Sequence, residues 1–302
     1  MRSRCSKHFD EPVLFDPEEY KVVYTPPCEE KGCWAGAPSV VEGEGDTIWM
    51  AHRRRNPENR GFEVVISKSE NGRDFDSVKS IKKDELGVQS LERPVMFRDP
   101  WSGKFRLYLS TDPSHFGWHL VKLQDVDHPS ELSVESREVV FKPDPAGMDE
   151  ASVKDPFIIL VGRKLFMFYI GLDQDGESPY VATSVDGRNW KRSKRNPLLE
   201  RKGWHSGLTR ISCVMPRERG YMLYYEGTNR EEYWNLKTGL AYSQTFESFT
   251  DLTPDEPILE SPANGELNTL RYLDYVVREN QVLFYYEAAR DDGALELRVS
   301  EA

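Results

Sequence analysis

Runs rich in β-branched and aromatic residues recur along the chain, punctuated by Gly, Pro, Asn and Asp. Five stand out: Asp46-Thr-Ile-Trp-Met-Ala, Lys104-Phe-Arg-Leu-Tyr-Leu-Ser, Leu165-Phe-Met-Phe-Tyr-Ile, Tyr221-Met-Leu-Tyr-Tyr-Glu and Gln281-Val-Leu-Phe-Tyr-Tyr-Glu. A turn before each separates it from another apolar run, and these begin Ala37-Pro-Ser-Val, Arg93-Pro-Val-Met, Asp155-Pro-Phe-Ile, Arg210-Ile-Ser-Cys and Asp274-Tyr-Val-Val. Each unit therefore opens with a hairpin. Helical periodicity with caps is scarce, so the pattern predicts an all-β chain. The starts at 37, 93, 155, 210 and 274 are 56, 62, 55 and 64 residues apart, a period that fits propeller blades.

A single five-bladed β-propeller over 1–302 is the expectation, with blades near 34–81, 90–141, 150–200, 204–260 and 269–300. The last blade has room for three strands, so the run at 20–24 is expected to add the fourth and close the ring. Closure would remove edges prone to aggregation. Three units carry a further strand and turn, beginning at Ile66, Val181 and Leu240. In its Ser-x-x-Gly-x-x-aromatic form this element makes a tight turn whose aromatic packs between sheets.

Charge and composition then exclude several classes. Lys and Arg number 40 against 51 Asp and Glu, a net charge of −11 that argues against a nucleic-acid binder. Aromatics at 12% argue against disorder. No run approaches a membrane span, and the first residues lack the apolar stretch of a signal peptide, so the expected location is the cytoplasm. No cofactor is expected. Cys28 and Cys33 have no second pair of zinc-like spacing and read as ordinary thiols or one disulfide, not as a metal site. His115 and His119 read as surface residues.

The candidate chemistry comes from aligning the hairpins. The starts of the inner strands crowd one mouth of the channel, and they read Ala37, Arg93, Asp155, Arg210 and Asp274. The hairpin ends returning to that mouth read His52, Ser110, Gly171, Glu226 and Glu287. Arg53, Glu92, Arg271 and Arg290 lie close by in sequence, with the aromatics Trp34, Trp204 and Tyr272. Carboxylates rimmed by aromatic rings suit a polyhydroxylated ligand. Asp155, between Arg93 and Arg210 in ring order, suits a base or nucleophile. Glu226 or Glu287 suits a proton donor, with Asp274 and Glu92 in reserve, which together make the pair that glycosidic cleavage requires. So many arginines in an acidic protein point to an anionic group on the saccharide. The alternative is that they plug the channel by pairing with the acids.

The pattern resembles the five-bladed propeller glycosidases, the superfamily of glycoside hydrolase families 43, 32, 62, 117 and 130. The resemblance rests on Asp155-Pro-Phe with Gly162-Arg-Lys-Leu-Phe-Met-Phe-Tyr-Ile-Gly, on Val181-Ala-Thr-Ser-Val-Asp-Gly-Arg-Asn-Trp, and on the blade count. It implies glycoside hydrolase activity, or phosphorolysis as in family 130, with a catalytically silent sugar-binding propeller as the other reading. Asp155 matches one of the family 43 acids. Ala37 stands where that family has its base, and Thr209 and Arg210 where it has its acid. Glu92-Arg93-Pro94 matches the Glu-Asp-Pro of family 130 with Arg in place of Asp. Arg98-Asp99-Pro100 resembles a family 32 motif but falls in a turn. Ser184-Val-Asp-Gly-Arg-Asn-Trp resembles a sialidase Asp-box, a fold that usually needs six blades.

Overall fold

The computed structural model describes residues 11–302, apart from 116, 174–175, 247 and 279–280. After β1 (Lys21–Tyr24) come five units of consecutive antiparallel strands. The first holds β2 (Trp34–Glu42), β3 (Ile48–Arg55), β4 (Glu63–Ser69) and β5 (Asp76–Lys82). The second holds β6 (Ser90–Arg98), β7 (Phe105–Asp112), β8 (His119–Lys122) and β9 (Glu138–Phe141). In the third are β10 (Ser152–Val161), β11 (Lys164–Asp173), β12 (Gly176–Ser184) and β13 (Lys191–Arg192), and in the fourth β14 (Leu208–Arg217), β15 (Gly220–Thr228), β16 (Lys237–Ser243) and β17 (Thr250–Asp251). The fifth has β18 (Leu270–Arg278), β19 (Gln281–Ala289) and β20 (Leu295–Glu301).

The fifth unit takes its fourth strand from the N-terminal side. β1 runs antiparallel to β20, with Lys21 opposite Val299 and Tyr24 opposite Leu297. The first and fifth sheets also meet in one parallel pair, Trp34 with Leu295. The inner strands β2, β6, β10, β14 and β18 contact one another in cyclic order, which makes the units blades around an axis. Upstream of β1, Phe15 is buried against Phe284 and Tyr286 of β19.

The Ser-x-x-Gly turns hold neighbouring blades together. Gly72 and Gly187 have φ of 72° and 73°, the left-handed conformation glycine adopts without a Cβ clash. Their N–H groups donate to Ser69 and Ser184 Oγ, each at 2.9 Å. Tyr285 of the fifth blade donates its hydroxyl to the Gly72 carbonyl, and Tyr108 of the second blade does the same for Gly187. Phe75 and Trp190 then pack edge-on against those tyrosines.

Each inner strand carries a bulge, and the bulges reset the columns expected from sequence. The residues left unpaired are Ala37 and Pro38, Glu92 and Arg93, Asp155 and Pro156, Ser212, and Tyr272 and Leu273. Ala37, Asp155 and Tyr272 share a left-handed φ of 52–55°, uncommon away from glycine and so a pointer to function. The first bulge positions therefore read Ala37, Glu92, Asp155 and Tyr272. Arg93 comes one residue later and Asp274 two residues later.

Arg93 occupies the axis. Its Nε donates to the Pro38 carbonyl, Nη1 to that of Ser212 and Nη2 to that of Leu273, while its backbone N–H donates to Asp155 Oδ1. One fully buried residue of the second blade thus bonds to the other four.

Candidate active site

At the N-terminal end of the inner strands lies a cavity of about 150 Å³. Trp34, Trp118, Tyr233 and Trp234 supply aromatic walls; Glu92 and Glu177 are its carboxylates. Arg55, Arg60, Lys154, Arg210 and Arg271 also line it, with Tyr272 and Leu172. Most of these side chains come from the starts of inner strands or the ends of the hairpins returning to them, which is why five blades converge on one small volume.

The ionic groups form a network in which acids and cations alternate. Glu92 lies 3.5 Å from Arg53 Nη1, and Arg53 Nη2 reaches Glu287 at 2.6 Å. Glu287 also takes Arg271, through Nε and Nη2 at 2.7 and 2.6 Å. A side chain at Gly36 would collide with the Glu287 carboxylate, so glycine lets that acid sit against the backbone of β2. On the other side Lys154 lies 3.3 Å from Asp155 and 3.2 Å from Glu177, and Arg210 joins Glu177 to Glu226. Tyr272 spans the two halves. Its hydroxyl donates to Asp155 Oδ2 at 3.0 Å, and its backbone N–H to Glu226 Oε2 at 2.6 Å.

This network sets the protonation states. Burial works against ionised Glu92, yet Arg53, Lys154, Arg55 and Arg60 hold its carboxyl down to about 2. Glu177 is held below the usual range in the same way, by Arg210 and Lys154 against its burial. Burial, with Asp155 and Glu92 adding to it, drives the Tyr272 phenol well above its ordinary value. Both cavity carboxylates are therefore ionised, and the phenol keeps its proton.

Of the residues singled out from sequence, Trp34, Glu92, Arg210, Arg271 and Tyr272 line the cavity. Asp155, Arg53, Glu226 and Glu287 stand directly behind it, fully buried and tied to the lining by the bonds above. The others lie elsewhere. Arg93 is bonded along the axis. Asp274 lines a separate apolar cavity of about 320 Å³ at the C-terminal side of the inner strands, accepting from the Val40 and Tyr275 N–H groups. His52 is buried against Tyr24, their rings 4.1 Å apart, with its pKa lowered to about 3 by burial and by Arg54 and Arg53. Trp204 stacks on Tyr225 and donates to the Thr253 carbonyl. Arg290 is half-exposed and paired with Asp292, outside the cavity lining. His119, expected at the surface, is half-buried.

Sequence reasoning did not find Arg55, Arg60, Trp118, Lys154, Glu177, Tyr233 or Trp234. Lys154 precedes Asp155 at a bulge, where strict alternation fails. Tyr233 and Trp234 are adjacent exposed aromatics in a loop, which is a readable signal. Cys28 and Cys33 form a disulfide immediately before Trp34, and Cys213 is a buried free thiol.

No family model and no curated protein matches the chain. Solved structures do. A thermostable family-43 glycoside hydrolase aligns with TM-score 0.69 at 15% identity over 92% of each chain. Beta-1,2-mannobiose phosphorylase from Listeria innocua, in complex with beta-1,2-mannobiose, gives 0.65 at 15% over 97% of this chain and 92% of that one. An alpha-L-arabinofuranosidase from Lactobacillus brevis gives 0.68 at 12% over 88% and 90%. The chain thus has the propeller fold found in glycoside hydrolase and phosphorylase structures, with no one family among them matched. At these identities the likeness is one of fold.

Proposed function

We propose that this protein cleaves a glycosidic bond in a short oligosaccharide or glycoconjugate by paired-carboxylate chemistry. The observation that carries the reading is that two carboxylates, Glu92 and Glu177, open into an aromatic-walled cavity at the propeller mouth. Aromatic faces bind sugar rings, and two carboxyl groups are what most glycosidases use. The fold shared with a family-43 hydrolase and a mannobiose phosphorylase supports the same class. Arg55 lines the cavity with no described carboxylate closer than Glu92 at 3.9 Å, which favours a substrate bearing an anionic group.

In this reading Glu92 and Glu177 meet the substrate. Asp155, Glu226 and Glu287 are positioning groups: they fix Tyr272, Lys154, Arg210, Arg271 and Arg53. The test is a panel of aryl glycosides, neutral and anionic, with and without inorganic phosphate. Chromophore release should fall at least about a hundred-fold in Glu92→Gln and Glu177→Gln, with melting temperature retained. Acceleration by phosphate would assign phosphorolysis. Undiminished turnover in both variants would remove these carboxylates from the mechanism.

A second reading, a sugar-binding propeller without catalysis, has one observation in its favour. Both cavity carboxylates are held ionised, so neither is a ready proton donor in the free protein. A binder would gain thermal stability with sugars and release no chromophore.

A further inference from the structure

The Trp34 side of the cavity has more donors than acceptors. Three guanidinium groups crowd the Trp34 ring: Arg55 at 4.0 Å, Arg271 at 4.7 Å and Arg53 at 5.2 Å from its centre. Arg271 is matched by Glu287, while Arg55 reaches no acid among the described residues closer than Glu92, at 3.9 Å. That separation is too long for a hydrogen bond. Trp34 Nε1 and Arg55 Nε are buried and make no hydrogen bond to any described residue, although both side chains line the cavity. Behind them Arg53 Nε is also without one. Buried donors are normally paired, and each left unpaired costs about 1–3 kcal/mol. Burial, with the neighbouring Arg53, Arg60 and Arg271 adding to it, brings the Arg55 guanidinium down to about 10 despite Glu92.

We infer that Trp34 and Arg55 form an oxyanion subsite, and that the saccharide bound in the cavity carries this oxyanion itself, as a uronate carboxylate or a phosphate ester. The inference rests on the reading of the cavity as a saccharide site and names the substrate class for it. Arginine is suited to the task because its planar fork matches a carboxylate or phosphate. An aromatic platform beneath the guanidinium keeps it in place without neutralising it. A neutral hydroxyl or a water could accept from one donor but would leave the charge unmatched. A bound anion would also weaken the hold of Arg55 and Arg60 on Glu92. That moves the carboxyl toward the range in which it can carry a proton, and supplies the donor that the free site lacks.

The test is calorimetric titration of the full chain with glucuronate, galacturonate, glucose 6-phosphate, their neutral parent sugars and inorganic phosphate, each at low and high salt. An anionic sugar should bind at least about ten-fold tighter than its parent, the effect of one charged hydrogen bond. The preference should shrink with salt and disappear in Arg55→Gln, and Trp34→Phe, which keeps the ring but removes Nε1, should reduce it. Equal binding of neutral and anionic sugars, or no binding of any sugar anion at millimolar concentration, overturns the inference. So does binding of inorganic phosphate alone, which would make the anion a separate reactant. Aryl glycoside turnover separates the two readings. Neutral glycosides cleaved without anion preference remove the subsite and leave the enzyme, whereas sugar acids bound without any cleavage do the reverse.

Discussion

Arg93→Met should weaken the whole propeller and not one blade. The side chain ends in a buried guanidinium that donates to carbonyls of the first, fourth and fifth blades. Removing it leaves three buried carbonyl oxygens without this partner, at about 1–3 kcal/mol each. Methionine has a similar reach, and it escapes the several kcal/mol that burying a guanidinium costs, which offsets part of the loss. A net destabilisation of about 4 kcal/mol follows. With a urea m-value of about 2–3 kcal/mol/M, the midpoint followed by tryptophan fluorescence should fall by about 1.5 M with the slope unchanged. A fall of less than about 0.5 M would show that the carbonyls find other partners and that Arg93 does not hold the axis. A normal midpoint with loss of sugar binding would instead return Arg93 to the ligand site.

Three further outcomes are expected. Burial raises the Asp274 carboxyl to about 6, with Arg93 and the Val40 and Tyr275 N–H groups opposing the rise; the fold then favours the protonated acid, so stability should decline by about 2–3 kcal/mol as pH climbs from about 4 to 6, and Asp274→Asn should flatten that part of a denaturation-versus-pH curve. Deleting residues 1–24 removes β1 from β20 and Phe15 from its site against Phe284 and Tyr286, so the melting temperature should drop by several degrees; an unchanged value would refute the closure role. Cys28→Ser opens a six-residue loop and should cost about 2 kcal/mol in chemical denaturation, a difference that added reductant should abolish.

The repeat was legible because its signals are local. Alternating runs such as Lys104–Ser110 and turns such as Ser184-Val-Asp-Gly report period-two geometry and left-handed glycine without help from tertiary structure. The last blade could be completed from a count of strands, since an unpaired edge demands a partner. The site was less legible because of the bulges. The dipeptides Ala37-Pro38, Arg93-Pro94 and Asp155-Pro156 look equivalent, yet in the second blade the proline lies one residue further along the strand. A one-residue slip in a strand sends the side chain to the other side. It exchanged Glu92, which lines the cavity, for Arg93, which fills the axis. In the fifth blade the slip was two residues, and Asp274 went to the far cavity while Tyr272 took the central position. Glu177 comes from the second hairpin of its blade, beyond the inner-strand columns.

Trp34 has two positions at once: it is a wall of the cavity, and it forms the parallel pair with Leu295 at which the first blade meets the last. The seam of the ring therefore runs through the binding site. Any ligand that gains contact with Trp34 acts as a latch on the seam, because prising the two blades apart would forfeit those contacts. Occupancy and ring opening are then linked quantities, and the amide protons of β1 and β20 should exchange more slowly when the cavity is filled.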